Sequence, residues 1–420
     1  MNRKRTVSVL LIVVLSVSFV FARDLSLDEA VSLALEQNLQ LKSSKITLDM
    51  SKSEYGYSYN TFIPDVNATA TMMKQNEADD FAFTYGISGT WNFNPAMITN
   101  VRIAKEKYDS GEITYLQACA QMKQNIRKVY YGVLLQQEAL AIQQETLKSQ
   151  ESRYLQAKLD YENGYIPEIS LLQSQVAYQN ARPTYEQALT NLKNAKRQLV
   201  FLLGLDLNEE LNLTSSIDCK MVDVDVNQVL SKIDERFDVQ LLESKKKLTK
   251  MQKEAIIEST FIPSISLQAS WQPYLFDINM KGKDYWTDQG KISGTVAWNL
   301  TNLLPSSSSY KNLKDINKGL DQIELGKQMT IDNARIEILN ILDKLEQARF
   351  ELDSSETTVS LAQANYEMRL TSYNTGTSDY LDLKDAETQL SQAKLGRLNS
   401  KFNYISALID LEYATNQQIL

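Results

Sequence analysis

The stretch 81–93 reads FAFTYGISGTWNF, and its side chains alternate between two kinds. Every second residue from Phe81 to Phe93 is aromatic, aliphatic or glycine, whereas the residues between them are small or polar. A period of two predicts a β-strand with one apolar and one polar face. Three further stretches alternate in the same way. We therefore predict four strands, at about 62–75, 81–94, 262–276 and 288–302.

The polar faces of these strands indicate what kind of sheet they form. A soluble sheet that packs one face on a core would show the same alternation. Here, however, the polar faces carry mainly Ser, Thr, Asn and Gln rather than Lys and Glu. The strands also reach the length of about 9–11 residues that a bilayer crossing needs. The pattern therefore favours a membrane barrel with a wet interior over a soluble sheet.

Four spanning strands cannot close a barrel by themselves, because open strand edges in lipid leave backbone groups unpaired. Several chains must therefore contribute strands to one wall. Two chains would give a barrel of eight strands, whose interior is nearly filled by side chains. Three chains would give twelve strands and an open lumen.

Long helical patterns follow each strand pair. They cover about 96–160 and 306–372, and return helices follow at about 170–204 and 380–415. Each long helix could extend ~100 Å at about 1.5 Å per residue, which predicts a bundle or coiled coil rather than a globular core. Pro183 lies inside the first return helix and predicts a bend or a break there.

The chain repeats itself in two halves. Phe-Ile-Pro occurs at 62–64 and 261–263, Trp-Asn at 91–92 and 298–299, and Tyr-x-x-Gly at 161–164 and 373–376. Three landmarks in the same order predict a two-fold internal repeat. We place the first repeat at 23–210, a linker at 211–225 and the second repeat at 226–420. Each repeat is expected to contain a helix, two strands, a long helix and a return helix.

Residues 1–22 have the features of a signal peptide. A basic start is followed by an apolar run that ends in Val-Phe-Ala, which predicts export and cleavage. Cleavage removes Arg3, Lys4 and Arg5 and takes the formal charge from −8 to −11. A chain with this negative charge is not expected to bind nucleic acid. No later stretch is long and apolar enough to predict a transmembrane helix.

The composition argues against an enzyme. The chain contains no histidine and only two cysteines, Cys119 and Cys219. Zinc sites use clustered His and Cys, and general acid–base chemistry leans heavily on His, so we expect no metal, no cofactor and no catalytic site. Cys119 lies in a helical pattern and Cys219 in a loop, and we expect both to remain unpaired.

Several motifs together resemble the TolC family of outer-membrane efflux proteins. They are LDEAV at 27–31, ALEQN at 34–38, the two Phe-Ile-Pro sequences, the segment 199–204 and, most specifically, YNTGTSDYLDLKDAE at 373–387. The resemblance implies a homotrimer with a shared twelve-stranded barrel, continued in the periplasm by an α-helical coiled-coil barrel. It also implies an outer-membrane location, a periplasmic adaptor protein and an inner-membrane transporter as partners.

The same resemblance implies where the channel narrows. It places the gate at Asp382 and Asp385, near the start of the last long helix, with Tyr373 in the closing network and Asp379 beside them. Gly164 and Gly376 mark the turns at the periplasmic tip. Where well-known members carry an arginine two residues after the glycine, this chain has Ser378. Helix capping alone would also explain acids at these positions.

Two functions remain open at this stage. The first is a passive trimeric conduit of a tripartite efflux or secretion system, opened when the adaptor and transporter dock. The alternative is a non-conducting periplasmic coiled-coil scaffold or adaptor protein. Adaptors contain helical hairpins as well, but two lipid-compatible strand pairs and a duplicated unit are not expected of them.

Overall fold

The computed structural model describes residues 23–74, 81–217, 221–272, 274–275, 286–287 and 290–417. The predicted signal peptide, Cys219 and the parts of the predicted strands in the gaps lie outside these residues. The chain divides into two compact units. The first comprises the described parts of Met1–Gln37, Ile126–Asp218 and Thr358–Phe402, and the second those of Asn38–Asn125, Cys219–Thr357 and Asn403–Leu420.

The helices and strands follow one another along the chain in this order. They are β1 (Arg23–Leu25), α1 (Leu27–Gln37), α2 (Leu39–Tyr57), β2 (Asp65–Lys74), β3 (Phe81–Phe93), α3 (Ala96–Glu162), α4 (Glu168–Leu203), β4 (Leu211–Leu213), α5 (Val226–Leu230), α6 (Phe237–Phe261), β5 (Ser264–Trp271), β6 (Tyr274–Leu275), β7 (Trp286–Thr287), β8 (Gly290–Ala297), α7 (Ser308–Asn374) and α8 (Tyr380–Thr415). Short 3₁₀ turns lie at Ser58–Phe62, Ile233–Glu235 and Leu300–Leu303.

The second unit contains an antiparallel sheet in which β3 and β5 are central. Strand β2 pairs with the free side of β3, and β8 pairs with the free side of β5. The short strands β6 and β7 continue β5 and β8 in the same register, since Trp271 pairs with Gly290 and Tyr274 with Thr287. The described strands therefore form four antiparallel rows, with β2 and β8 at the two edges.

The register brings like residues together on each face of the sheet. Ile87 pairs with Ala68 and Trp271, whereas its neighbour Ser88 pairs with Asn67 and Ser270. Residues that pair directly lie on the same face, so the apolar positions of all four rows form one continuous surface. This surface is open in the single chain: Val66 is 71% exposed and Ile292 90%.

Strand β8 is shorter than the range predicted from alternation. It ends at Ala297, and Leu300 begins a 3₁₀ turn. The side chain of Asn299 accepts a hydrogen bond from the amide of Thr301 at 3.1 Å and so caps this turn. A local polar cap therefore ends the strand although the alternation continues through Leu300.

The core of the second unit lies where α5, α7 and α8 pack together. Val229, Ile338, Tyr404 and Leu408 are among its buried members. The hydroxyl of Tyr404 accepts a hydrogen bond from the amide of Val222 at 3.0 Å, which satisfies the polar end of a fully buried ring.

The first unit contains a small parallel sheet that the sequence did not predict. Strand β1 pairs with β4, so the stretch predicted to be a linker contributes a strand. The buried Tyr130 supports this pair, because its hydroxyl lies 2.8 Å from the carbonyl oxygen of Leu25. Helix α1 begins directly after β1 with a reciprocal capping box, in which the Ser26 amide donates to the Glu29 carboxylate and the Glu29 amide donates to the Ser26 hydroxyl.

Helix α4 is continuous from Glu168 to Leu203 and contains Pro183 in its interior. The helix is therefore not broken at Pro183, and a bend there stays a prediction. Proline removes one backbone donor, which a helix of 36 residues tolerates because the flanking turns remain bonded. Within the described part of the chain, no helix is apolar over a stretch long enough to cross a bilayer.

Candidate gate at the helix turns

Two turns of the same construction connect the helices of the first unit. Helix α3 ends in a turn at Gly164, and α7 ends in a turn at Gly376, with φ values of +78° and +74°. In the first turn the amide of Tyr165 donates to the carbonyl of Asp160 at 2.8 Å, and in the second that of Thr377 donates to Ser372 at 2.9 Å. Both turns are Schellman motifs, which need a left-handed residue at this position and so favour glycine.

Asp379 acts as the cap of α8. Its Oδ1 accepts a hydrogen bond from the amide of Asp382 at 3.0 Å, in the position of an N-terminal cap. The capping explanation therefore accounts for Asp379 without a further role.

Asp382 has a cationic partner within its own chain. Its Oδ2 accepts from Nη1 of Arg369 on α7 and from the hydroxyl of Ser378, each at 2.9 Å. The cation beside Asp382 therefore comes from the preceding helix, whereas Ser378 contributes only its hydroxyl. Since both partners are about half exposed, the pair adds little stability but does offset the charge of Asp382.

Asp385 is exposed and has no ionic partner among the described residues. It lies three residues after Asp382, and side chains three apart share one face of a helix. Of the three predicted gate acids, Asp385 is therefore the one whose charge nothing in the described chain offsets or uses as a cap.

Tyr373 and Tyr380 face each other across the α7–α8 turn. Their ring centroids lie 6.3 Å apart in an edge arrangement. Tyr373 is 37% exposed, whereas Tyr380 is buried, and burial raises the pKa of the Tyr380 phenol to about 12. The structure thus places Tyr373 near the predicted acids but brings its neighbour Tyr380 into the protein interior.

A buried polar cluster lies behind this turn, and sequence reasoning missed it. Glu387 of α8 accepts a hydrogen bond from Nε2 of Gln150 on α3 at 2.6 Å and lies 3.7 Å from Nε of Arg153. The hydroxyl of Tyr380 donates to Oε1 of Gln150 at 2.9 Å. A signal was present, because Glu387 interrupts an apolar face of α8 between the buried Leu383 and Leu390.

Neither a metal site nor a disulfide is found in the described part of the chain. No group of three or more metal-ligating side chains converges there, and Cys119 is a free thiol.

Comparison with known proteins agrees with this architecture. Residues 30–205 match the family described as "Outer membrane efflux protein". The chain is 23% identical over 411 residues to "Probable efflux pump outer membrane protein TtgC" of Pseudomonas putida, an alignment that covers 93% of this chain and 83% of that protein.

Solved structures share the fold. The "Campylobacter jejuni CmeC outer membrane channel" superposes with a TM-score of 0.79 at 19% identity, covering 93% of this chain and 85% of that one. For "the outer membrane protein VceC" of Vibrio cholerae the TM-score is 0.76 at 15% identity, with 94% and 97% covered.

The chain thus has a mixed α and β fold, which it shares with the outer-membrane channels compared above. The predicted resemblance to the TolC-like outer-membrane efflux proteins is confirmed, and with it the predicted location in the outer membrane with an extension into the periplasm. The matched family consists of membrane conduits rather than enzymes.

Proposed function

We propose that this chain is the passive outer-membrane channel of a tripartite efflux or secretion system and that it works as a homotrimer. The observation that carries the proposal is the sheet of the second unit, with one continuous exposed apolar face and one nearly uncharged polar face. In water such a face would be an aggregation liability. In a bilayer it is the surface that a barrel wall needs, with the polar face turned to a wet lumen.

The aromatic residues of β3 support a bilayer setting. Trp91 stacks with Phe93 near one end of the strand, and Phe83 contacts Tyr85 near the other. The eight steps along β3 from Phe83 to Trp91 cover about 27 Å at ~3.4 Å per residue, close to the apolar band of about 25 Å between aromatic girdles.

The edges of the sheet support the trimer. Among the described strands, β2 pairs only with β3, and β8 pairs only with β5. In lipid each unpaired backbone group would cost several kcal/mol. Pairing of β8 with β2 of the next protomer removes both edges, and three copies yield a twelve-stranded wall with an open lumen.

The helices next to the sheet also carry exposed apolar stripes, which would contact the next protomer of the trimer. Helix α2 leads into β2, and α7 follows β8. Each presents large exposed apolar residues at spacings of four and seven, as helices do at coiled-coil contacts. They are Leu39, Ile46, Met50 and Tyr57 on α2, and Leu325, Met329 and Ile336 on α7.

The gate is proposed to lie at the first turns of α8, where three copies would surround the channel axis. Asp385 would carry the uncompensated charge of the constriction, and Asp382 a charge offset by Arg369. Tyr373 would pack beside them. The turns at Gly164 and Gly376 would form the periplasmic tip, which opens when a periplasmic adaptor protein and an inner-membrane transporter dock.

The alternative function, a non-conducting periplasmic scaffold or adaptor, would account for the long helices. It leaves the exposed apolar face of the sheet without a partner, so we favour the channel.

Oligomeric state and conductance test the proposal directly. Mature protein extracted in detergent is expected to have the mass of three chains, and it should conduct ions after insertion into planar bilayers. Single cysteines at Thr84 or Ser88 should react with a water-soluble thiol reagent in liposomes, whereas those at Tyr85 or Ile87 should not. A stable monomer in lipid, or equal labelling of both faces, would exclude the proposed barrel.

A further inference from the structure

The polar face of the sheet carries very little charge. Among the described residues of β2, β3, β5 and β8, Lys291 is the only cation on that face and Asp65 the only anion. The chain as a whole is acidic, with 52 Asp and Glu residues against 44 Lys and Arg residues. A general excess of cations therefore does not explain the lysine in this wall.

The strand register places Lys291 on the polar face. Lys291 of β8 pairs with Ser270, Ser270 pairs with Ser88, and Ser88 pairs with Asn67. Because residues that pair directly share a face, the ammonium group lies on the same side of the sheet as two hydroxyl groups and an amide. The side chain of Lys291 is exposed and has no ion-pair partner among the described residues.

The height of this row in the sheet indicates what the lysine faces. The row crosses β3 at Ser88, which lies five residues from Phe83 and three from Trp91, or about 17 and 10 Å along the strand at ~3.4 Å per residue. A lysine that faces lipid between the aromatic ends of a barrel strand is strongly unfavourable, whereas one that faces a wet lumen is tolerated. Lys291 therefore fits a barrel whose polar face is turned inward.

Three copies of Lys291 would lie close to one axis. Twelve strands about 4.8 Å apart and tilted by about 40° close a wall with a radius of ~12 Å. A lysine reaches inward from this wall by about 6 Å on its four-carbon stem, so each ammonium comes within one Debye length of the axis, ~8 Å at 0.15 M ionic strength. The three charges therefore act together on an ion in the lumen, and Ser88, Ser270 and Asn67 can donate hydrogen bonds to an anion without adding charge.

We propose that the three copies of Lys291 form an anion-binding ring inside the barrel and that this part of the duct favours small anionic cargo. The proposal rests on the trimeric channel proposed above. Asp385, at the proposed constriction, carries the opposite charge. The two sites can therefore be distinguished by the sign of the ion that each of them attracts.

The same sheet offers a matched control. Lys74 is the other lysine in its described long strands, and it lies at the end of β2, where it pairs with Phe81. By alternation along β2, Lys74 belongs to the apolar face. Lys74→Gln therefore changes the charge of the chain by as much as Lys291→Gln does but removes no cation from the polar face.

The test measures the current through the full mature protein in planar bilayers, with inorganic tripolyphosphate added to the side opposite the one from which the protein inserts. We expect the wild type to be blocked, and 1 M KCl to weaken the block by screening. Lys291→Gln should raise the concentration for half-block by at least about tenfold, because each trimer loses three cations beside the bound ion. Lys291→Arg and Lys74→Gln should be blocked as the wild type is.

Restoring the charge chemically separates an electrostatic role from a structural one. Lys291→Cys should lose the block, and reaction with aminoethyl methanethiosulfonate, which adds an ammonium group, should restore it. The same treatment of the wild type controls for reaction at Cys119 and Cys219.

Three results would overturn the proposed ring. They are a conducting wild type that tripolyphosphate does not block, an equal loss of block in Lys74→Gln, and a block that appears only in Asp65→Asn. The last result would show that Asp65 of a neighbouring protomer already neutralises Lys291. A wild type that assembles but never conducts would instead refute the channel function itself.

Discussion

Replacing Ile292 by lysine places a charge on the exposed apolar face, on the edge strand β8. Ile292 pairs with Ala269, which pairs with Gly89, and Gly89 pairs with Val66, so the four residues form one row across the sheet. Along β3 this row is two residues from Trp91 and four from Tyr85, or about 7 and 14 Å at ~3.4 Å per residue. The row thus lies well inside an apolar band of about 25 Å.

The expected cost follows from that depth. A lysine on the lipid face near the midplane of a barrel destabilises it by about 2–4 kcal/mol, and the side chain of Ile292, which is 90% exposed in the single chain, would face hydrocarbon. The adjacent Ser293 lies on the opposite face, so Ser293→Lys should cost less than about 1 kcal/mol because its ammonium stays in water.

Urea titration of folding into lipid vesicles measures both free energies of unfolding on the same preparation. The difference between the two lysine variants is the informative quantity, because any effect of lysine on the strand itself is common to both. Equal destabilisation of the two variants would show that neither face meets lipid and would refute the assignment of faces.

Three further outcomes are expected. Asp385→Ala should lower cation selectivity in planar bilayers more than Asp382→Ala does, because only the second charge is already offset; equal effects would contradict this. Gly376→Ala should destabilise the protein by about 1 kcal/mol through its positive φ, whereas Gly396→Ala inside α8 should be neutral or stabilising in urea unfolding. Because burial raises the pKa of the Tyr380 phenol to about 12, its stabilising contribution should be complete below pH 10 and lost as the pH rises towards 12. In the Tyr380→Phe variant, the free energy of unfolding should therefore depend less on pH in that window.

The positions of the long helices could be predicted from the sequence. Periodicity predicted long helices at about 96–160 and 306–372, and the structure has them at Ala96–Glu162 and Ser308–Asn374. The glycines that end them follow from local chemistry, because a Schellman turn needs a residue that tolerates positive φ. Such features depend on neighbours in sequence and are visible without tertiary contacts.

The contacts of the candidate gate acids could be assigned only from the structure. In the structure Asp379 caps a helix, Asp382 pairs with Arg369, and Asp385 has no ionic partner among the described residues. Spacing along the sequence alone could not distinguish these three situations. The partner of Asp382 lies on another helix, and no pattern in the chain identifies which cation reaches it.

Sequence by itself determined the long helices, the two faces of each long strand, and the resemblance to outer-membrane efflux proteins. All of these follow from local periodicity and from short motifs. Only the tertiary structure decided the strand pairing of β1 with β4 and the pairing of Arg153 with Glu387. These contacts join residues roughly 190 and 230 positions apart, and a buried charge is tolerated only where the fold brings its counter-charge within reach.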